Sequence, residues 1–346
     1  MSPPTPPLPT PGEAAPHEVG LAEVVQASSP WKTAVRMLVS VGVLAILVLK
    51  TPRLGGVLPR HHPLHSALLL AAALLLTLAG IVLSAWRWQR VLRVFDHDVG
   101  LGKLTAYTLA GQFVGNVLPS TIGGDVVRIS RLGAAIDSTE TAFASVAIER
   151  LTGFVALPAL VVTGFALRPS LVDADHALVA LGIAALTLGA LAAVLTAAAH
   201  PRLAGRFAGN DNWMRFVGAV HVGVDRLRRQ PREALGVVGT ALVYQASVIA
   251  AVLCIVRTLA LSLPTAAVIA FVPAVAMAQV IPISIGGLGV REGMLVLFLH
   301  SFGVTNAQAI AVGLLWYACV LVVSMLGAPV FAVGKRKHSR VAARAS

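Results

Sequence analysis

Residues 116–128 read NVLPSTIGGDVVR, and residues 279–291 read QVIPISIGGLGVR. The two segments align without a gap and share Val, Pro, Ile, Gly, Gly, Val and Arg at the same spacing. Pro and Gly-Gly interrupt a helix, and the Arg places a cation near the start of the next helix. Two such interruptions at matching places of two apolar halves are typical of transporters with an internal repeat.

The composition is that of an integral membrane protein. The mean hydropathy is +0.82, and 57% of the residues are apolar while only 12% are charged. The net charge of +12 does not indicate a nucleic-acid partner, because Lys and Arg gather in the predicted loops and the C-terminal tail. Neither a nucleotide, metal or cofactor motif nor a disulfide framework is found in the sequence, so no cofactor is expected.

Six stretches are apolar enough and long enough to span a membrane. They cover residues 34–50, 64–87, 141–167, 174–199, 234–262 and 307–333. Two shorter apolar segments, 101–117 and 265–280, each lead into one copy of the repeated phrase and then into a short helix, 124–136 or 289–303. The predicted fold is an all-α polytopic membrane protein. It has about six full spans and two Pro/Gly-broken helical hairpins, either re-entrant or tightly paired.

The predicted domain organisation has three parts. Residues 1–30 are Pro-rich and lack Lys and Arg, which predicts a disordered N-terminal tail. Residues 31–334 form the transmembrane domain, with halves at 64–199 and 234–333, and residues 335–346 form a basic cytoplasmic tail.

Charge in the loops predicts the orientation. Sixteen Lys and Arg fall within 86–103, within 200–233 and after 333, while the remaining interhelical loops hold only three. The positive-inside rule therefore places both termini in the cytoplasm. Three spans lie between the hairpins, and this odd number makes the hairpins enter from opposite faces, as an inverted repeat. Four tryptophans are expected at the membrane interfaces: Trp86, Trp88, Trp213 and Trp316.

Each copy of the phrase predicts an anion-attracting pocket. A helix restarts after each Gly-Gly pair, so free backbone N–H groups and the positive end of the helix dipole point toward the break. An Arg follows about one turn later, which suits a lipid phosphate. The alternative is that the glycines only allow close helix packing while the Arg snorkels to head groups. The predicted pocket residues are Gly123, Gly124, Arg128, Gly286, Gly287 and Arg291, with helix breaks at Pro119 and Pro282.

Two charged residues, Glu149 and Arg150, lie inside an otherwise apolar predicted span. A charge at the helix centre costs about 2.5–3.5 kcal/mol on insertion scales, so both side chains should face the bundle interior and have partners. The candidate partners are Arg128 or Arg131 for Glu149, and Asp125 or a substrate phosphate for Arg150. A purely structural ion-pair network is the alternative.

Asp125 and Glu292 are the acidic candidates within or beside the repeated phrase. Asp125 lies three residues before Arg128 and can pair with it on one helix face. It can also serve as a switchable counter-charge or proton carrier. The second copy has Leu288 at the corresponding position, and Glu292, next to Arg291, is the nearest acidic analogue in that half.

These motifs together resemble the flippase-like transmembrane domain of lysylphosphatidylglycerol synthases and its stand-alone relatives. The resemblance covers about residues 31–334. It is carried by Trp86-Arg87-Trp88, N-x-L-P-x-x-x-G-G-D-x-x-R at 116–128, E-R at 149–150 and I-P-x-S-x-G-G-L-G-x-R-E at 281–292.

The resemblance implies a bacterial-type inner-membrane protein that moves, or helps to move, a lipid between leaflets. It adds Asn116 to the candidate substrate-binding residues and implies aminoacylated phospholipids or other lipid-linked molecules as substrates. Only a short basic tail follows residue 334 in place of the soluble aminoacyl-transferase domain, so no enzyme activity is expected.

The sequence thus favours a transporter of a phospholipid or other lipid-linked anionic molecule. Its expected partners are anionic or aminoacylated phospholipids or a polyprenyl-linked lipid, without nucleic acid, and a homo-oligomer is compatible with the sequence. One alternative is an ion- or proton-coupled carrier of a small anion. Another is a non-transporting scaffold for a separate lipid- or glycan-modifying enzyme.

Overall fold

A computed structural model describes residues 63–117, 123–199, 212–280 and 287–332. Every regular element within these ranges is helical. The predicted span 34–50 and both predicted tails lie outside the described residues. So do three predicted site residues: Pro119, Pro282 and Gly286.

The first half contains five α-helices. They are α1 (Pro63–Val94), α2 (Leu101–Val117), α3 (Gly123–Ile136), α4 (Thr139–Leu167) and α5 (Ala177–Ala199), with a 3₁₀ turn at Pro169–Asp173 before α5. The second half contains another five. They are α6 (Asn212–Arg229), α7 (Pro231–Thr258), α8 (Thr265–Ala278), α9 (Val290–Leu299) and α10 (Asn306–Ser324).

Five of these helices, α1, α4, α5, α7 and α10, are long and apolar enough to cross a membrane. They confirm the predicted all-α polytopic fold. The short pairs α2/α3 and α8/α9 stand where the two broken hairpins were predicted. Local signals fix several helix starts: the Ser138 hydroxyl caps α4 by accepting from the N–H of Thr141 at 3.2 Å. Thr305 and Gln308 form a capping box at the start of α10.

Two predicted loops are wrong in part, because they contain helix. The α1 helix continues to Val94, beyond the predicted end of the span at residue 87, so Trp88 lies in its last turns rather than in a loop. Residues 212–229 form the amphipathic helix α6, and Arg226 at its end donates to the carbonyl of Val94 at 3.1 Å. A periodic pattern made of Val, Ala and Gly among Arg is weak, which is why the high charge of the segment suggested a loop.

The helices α1 to α4 and the helices α7 to α10 each follow the order long, short, short, long. The helix α2 packs on α3 and α3 on α4, and in the same way α8 packs on α9 and α9 on α10. The halves meet where α1 packs extensively against α7, α4 against α8 and α10 against α2. The larger hydrophobic core lies among α4, α5, α7, α8, α9 and α10, where Phe271 stacks on Phe298 with ring centroids 4.9 Å apart. A separate core joins α1, α2, α3 and α4 around the fully buried Trp88 and Leu132.

Candidate functional site

Glu149 is the centre of a buried ion-pair network. The guanidinium of Arg87 donates to Oε1 of Glu149 from Nε at 3.0 Å and also from Nη2. Arg128 donates from Nη2 to the other oxygen, Oε2, at 3.2 Å. The hydroxyl of Ser84 donates to Oε1 at 3.3 Å. The Glu149 carboxylate, only 2% exposed, therefore has both oxygens occupied by cations from two other helices.

Asp125 extends this network toward the surface. Its Oδ1 lies 3.6 Å from Nη1 of Arg128, and its Oδ2 lies 2.6 Å from Nη2 of the half-exposed Arg150. Two of the predicted alternatives, Glu149 with Arg128 and Arg150 with Asp125, are thus the contacts that the structure contains. Arg131, the other candidate for Glu149, instead donates to two backbone carbonyls near residue 330. The network ties α1, α3 and α4 together.

Arg87 is the site residue that the sequence reasoning missed as a partner of Glu149. It is 5% exposed and makes two hydrogen bonds to Glu149 from a position 62 residues earlier in the chain. The same signal that singled out Glu149, a charge inside a long apolar helix, would have found Arg87 if α1 had been extended to Val94.

Both arginines of the repeated phrase lie on aromatic rings. The guanidinium of Arg128 is 4.2 Å from the ring of Trp88, whose indole N–H donates to Ser145 at 2.9 Å. The guanidinium of Arg291 is 4.9 Å from the ring of Tyr317 and 5.8 Å from that of Trp316. Trp88 and Trp316 are therefore buried cation–π partners, and the prediction that they anchor the membrane interface is wrong.

In the second copy, Arg291 pairs with its own neighbour. Its Nε donates to Oε1 of the fully buried Glu292 at 3.1 Å. The other oxygen, Oε2, accepts from the backbone N–H of Gly289 at 2.7 Å and so caps α9. Gly287 and Gly289 both have positive φ, +74° and +84°, which only glycine adopts without strain.

The left-handed backbone at Gly287 gives a prediction about stability. We expect Gly287→Ala to lower the free energy of unfolding by about 1–2 kcal/mol, since a Cβ is unfavourable at positive φ and would meet the side chain of Gln279. The matched control is Gly293→Ala in α9, where a Cβ meets nothing within 4 Å and should raise stability by about 0.5–1 kcal/mol. Reversible denaturation in mixed micelles would compare them, and equal effects of the two substitutions would contradict the prediction.

In the first copy, Gly124 serves helix packing. A Cβ at Gly124 would lie 2.5 Å from the carbonyl oxygen of Gly111, so α2 and α3 approach as closely as two backbones can. The first turn of α3 holds Asp125, as the first turn of α9 holds Glu292. Each helix start predicted to attract an anion therefore already has a carboxylate of its own.

A cavity of about 220 Å³ lies where the two halves meet. The first half contributes Thr77, Gly80, Ile81 and Ser84 of α1 and Thr108, Gln112 and Asn116 of α2. The second half contributes Tyr244, Val248 and Ala251 of α7, Gln279, Arg291 of α9, and Trp316, Tyr317 and Val320 of α10. Since Thr77 follows Pro63 by about 21 Å of helix at 1.5 Å per residue, the cavity lies roughly halfway along α1.

The two copies of the phrase contribute differently to this cavity. Their opening amides, Asn116 and Gln279, both line it, and so does Arg291. The remaining predicted site residues that the structure describes do not line it: Gly123, Gly124, Asp125, Arg128, Glu149, Arg150, Gly287 and Glu292. Ser84 and Tyr244 connect the cavity with the ion-pair network, because Ser84 donates to Glu149 and Tyr244 lies under the guanidinium of Arg87.

Three buried polar atoms at this cavity make no hydrogen bond to any residue that the structure describes. They are Nη2 of Arg291, Nδ2 of Asn116 and Oγ1 of Thr108. A buried donor without an acceptor costs about 1–3 kcal/mol, so such groups are expected where a ligand supplies the acceptor. Within the described ranges, no cluster of three or more His, Cys, Asp or Glu could hold a metal ion.

Comparison with known proteins agrees with this architecture. A family model described as "Lysylphosphatidylglycerol synthase TM region" matches residues 33–327, which is most of the chain and includes all ten helices α1 to α10. No curated protein matches the chain. The repeated phrase, the Glu149 network and the cavity between the halves thus lie within the matched region, and the chain belongs to the family of the lysylphosphatidylglycerol synthase transmembrane region.

Proposed function

We propose that this protein moves a phospholipid or other lipid-linked anionic molecule between the leaflets of a bacterial-type inner membrane. The observation that carries the proposal is the polar cavity between the halves, lined by the opening amide of each phrase and by Arg291. Binding between two repeats near the middle of the bundle is the arrangement by which secondary transporters expose a site to each side in turn.

In the proposed mechanism, the head group enters the cavity and its phosphate faces Arg291, while the acyl or prenyl chains stay in the surrounding lipid. The Glu149 network joins α1, α3 and α4, so the first half can move as one body against α8, α9 and α10. The sequence has no nucleotide-binding motif. Transport would therefore be driven by a gradient or run downhill.

A plug in the cavity tests the proposal without touching an ion pair. We expect purified wild type in proteoliposomes to expose head-group-labelled lipid of the inner leaflet to a membrane-impermeant quencher. Thr77→Phe should slow this exchange at least about tenfold, because the ring narrows the cavity. The matched control is Thr187→Phe in α5, since Thr187 makes the same 2.8 Å bond to a carbonyl one turn earlier and does not line the cavity.

The same vesicles distinguish the proposed lipid transporter from the two alternatives, a carrier of a small anion and a non-transporting scaffold. Uptake of a small anion without lipid exchange would favour the anion carrier over the lipid transporter. A protein that moves neither and is recovered together with a lipid- or glycan-modifying enzyme would be a scaffold. Equal lipid exchange by Thr77→Phe and Thr187→Phe would refute the cavity as the route.

The proposed inverted repeat predicts the face of the membrane from which a water-soluble reagent can react with each hairpin. After Cys254 and Cys319 are replaced by Ala, single cysteines at Ser120 and Ser284 should react with an impermeant maleimide from opposite faces. A cysteine in the C-terminal tail should react from the cytoplasmic face, as the Lys and Arg distribution predicts. Labelling of Ser120→Cys and Ser284→Cys from the same face would reject the inverted arrangement.

A further inference from the structure

We infer that the cavity takes an uncharged, hydroxyl-rich head group linked to a phosphate diester, and that it discriminates against head groups carrying an ammonium. This inference rests on the proposed function, since it specifies the lipid that the same cavity would accept. The family resemblance implies two kinds of substrate, aminoacylated phospholipids and other lipid-linked molecules, and this inference distinguishes between them.

The charge of the cavity wall disfavours an ammonium group. Arg291 is the one charged residue that lines it among the residues that the structure describes, and none of the described lining residues is acidic. The two buried carboxylates among the described residues are occupied: Glu149 by Arg87 and Arg128, and Glu292 by Arg291 and the start of α9. A lysyl or other ammonium head group would therefore meet a guanidinium and find no counter-charge.

Two of the buried groups that lack a partner at the cavity are N–H donors. Arg291 is only 3% exposed, and its Nη2 and the Nδ2 of Asn116 are buried donors that make no hydrogen bond to any described residue. Phosphate and hydroxyl oxygens accept hydrogen bonds, whereas an ammonium can only donate them. The unpaired donors thus call for oxygen atoms on the ligand.

The size of the cavity and the rest of its lining suit a head group with several hydroxyls. The cavity of about 220 Å³ is below the roughly 300 Å³ at which pockets for drug-sized ligands begin, so it fits a head group without its chains. Amide and hydroxyl groups supply further sites that can both donate and accept, as a polyol requires. They belong to Thr108, Gln112, Tyr244 and Gln279. The hydroxyl of Thr77 donates to the carbonyl of Ala73, so its oxygen can only accept from a ligand.

This chemistry occurs in two sources, a glycerol-headed phospholipid and a sugar joined to a polyprenyl chain through phosphate. Both present one anionic phosphate and several hydroxyls, and they differ in their chains. Full-length protein in detergent would be titrated with three soluble probes: dihexanoyl phosphatidylglycerol, dihexanoyl lysylphosphatidylglycerol and a short-chain prenyl phosphohexose. Because Trp316 lines the cavity, its fluorescence reports occupancy.

We expect at least one hydroxyl-headed probe to bind about tenfold or more tightly than the lysyl ester. The tighter of the two identifies the source. Asn116→Ala should weaken that binding about three- to tenfold, as the loss of one hydrogen bond does. The matched control is Gln230→Ala, an exposed amide at the start of α7, which should leave the affinity unchanged.

Asn116→Asp makes the sharper test, since it keeps the shape and adds a carboxylate to the wall. It should narrow or reverse the preference, so that the lysyl ester gains affinity relative to the hydroxyl-headed probes. Equal or tighter binding of the lysyl ester by wild type would overturn the inference, as would a preference that Asn116→Asp leaves unchanged. Selective binding without leaflet exchange in the Thr77 assay would support the inference and refute transport, so the two failures are distinguishable.

Discussion

Glu149→Ala is expected to lower the free energy of unfolding by about 3–5 kcal/mol, the largest stability change that we predict. The substitution leaves the guanidinium groups of Arg87 and Arg128 buried together without the carboxylate that neutralises them. Glu149→Gln should cost less, because the amide oxygen still accepts a hydrogen bond although the charge is gone. Reversible denaturation in mixed micelles measures both effects.

An exposed ion pair provides the matched control for Glu149. Asp225 accepts from Arg229 at 2.8 Å on the outside of α6, and both side chains are about half exposed or more. Asp225→Ala should therefore change stability by only about 0.3–0.5 kcal/mol. Within the network, Arg128→Met combined with Glu149→Gln should cost less than the two single changes added together. Loss of the same stability in Asp225→Ala and Glu149→Ala would contradict the buried network.

Arg291→Ala is expected to reduce lipid exchange about 10- to 150-fold, the largest functional change that we predict. Arg291 supplies the one cation of the cavity wall among the described residues, and a hydrogen bond to a charged group contributes about 1.5–3 kcal/mol. Arg291→Lys should keep part of the activity, because it retains the charge and loses the planar fork of donors. The proteoliposome assay with a head-group-labelled lipid measures the rates.

A double variant distinguishes a loss of lipid exchange from a loss of folding when Arg291 is replaced. Arg291→Ala strands the buried Glu292, whereas Arg291→Gln with Glu292→Gln removes both charges together. The double variant should retain a sharp unfolding transition and still lose exchange. Arg128→Ala should mainly destabilise the protein, since Arg128 does not line the cavity. Wild-type exchange by the folded double variant would show that Arg291 does not bind the substrate.

The apolar pattern of the sequence was enough to predict the long helices and the positions of both short pairs. Those features depend on local hydrophobicity and on Pro and Gly, which act within a few residues. The helix α6 and the end of α1 were missed because charges interrupt an apolar pattern that a helix still tolerates on one face. Trp88 was misplaced for a related reason, since burial of an indole beside Arg128 depends on three helices that are distant in sequence.

The candidate site could be predicted only in part, because the two copies of the phrase have similar sequences but their residues make different contacts. Because their spacing is identical, Arg128 and Arg291 were both predicted to bind a lipid phosphate, although only Arg291 lines the cavity. The difference arises from residues outside the shared positions: Asp125 and the distant Glu149 hold Arg128 in the ion-pair network, while Arg291 pairs with its neighbour Glu292 and lines the cavity. Such partners are set by tertiary packing and cannot be read from a repeat.

The bond from Ser84 to Glu149 has a consequence for how a head group would lie. A serine hydroxyl has a single hydrogen, and that of Ser84 points at the carboxylate, so its oxygen offers the cavity only lone pairs. Arg291 and Asn116 offer only N–H groups from their unpaired atoms. The cavity wall is therefore polarised: it is electron-poor at Arg291 and Asn116, which present N–H donors, and electron-rich at Ser84 of α1. A polyol phosphate fits it one way round, with its phosphate at Arg291 and a hydroxyl hydrogen toward Ser84.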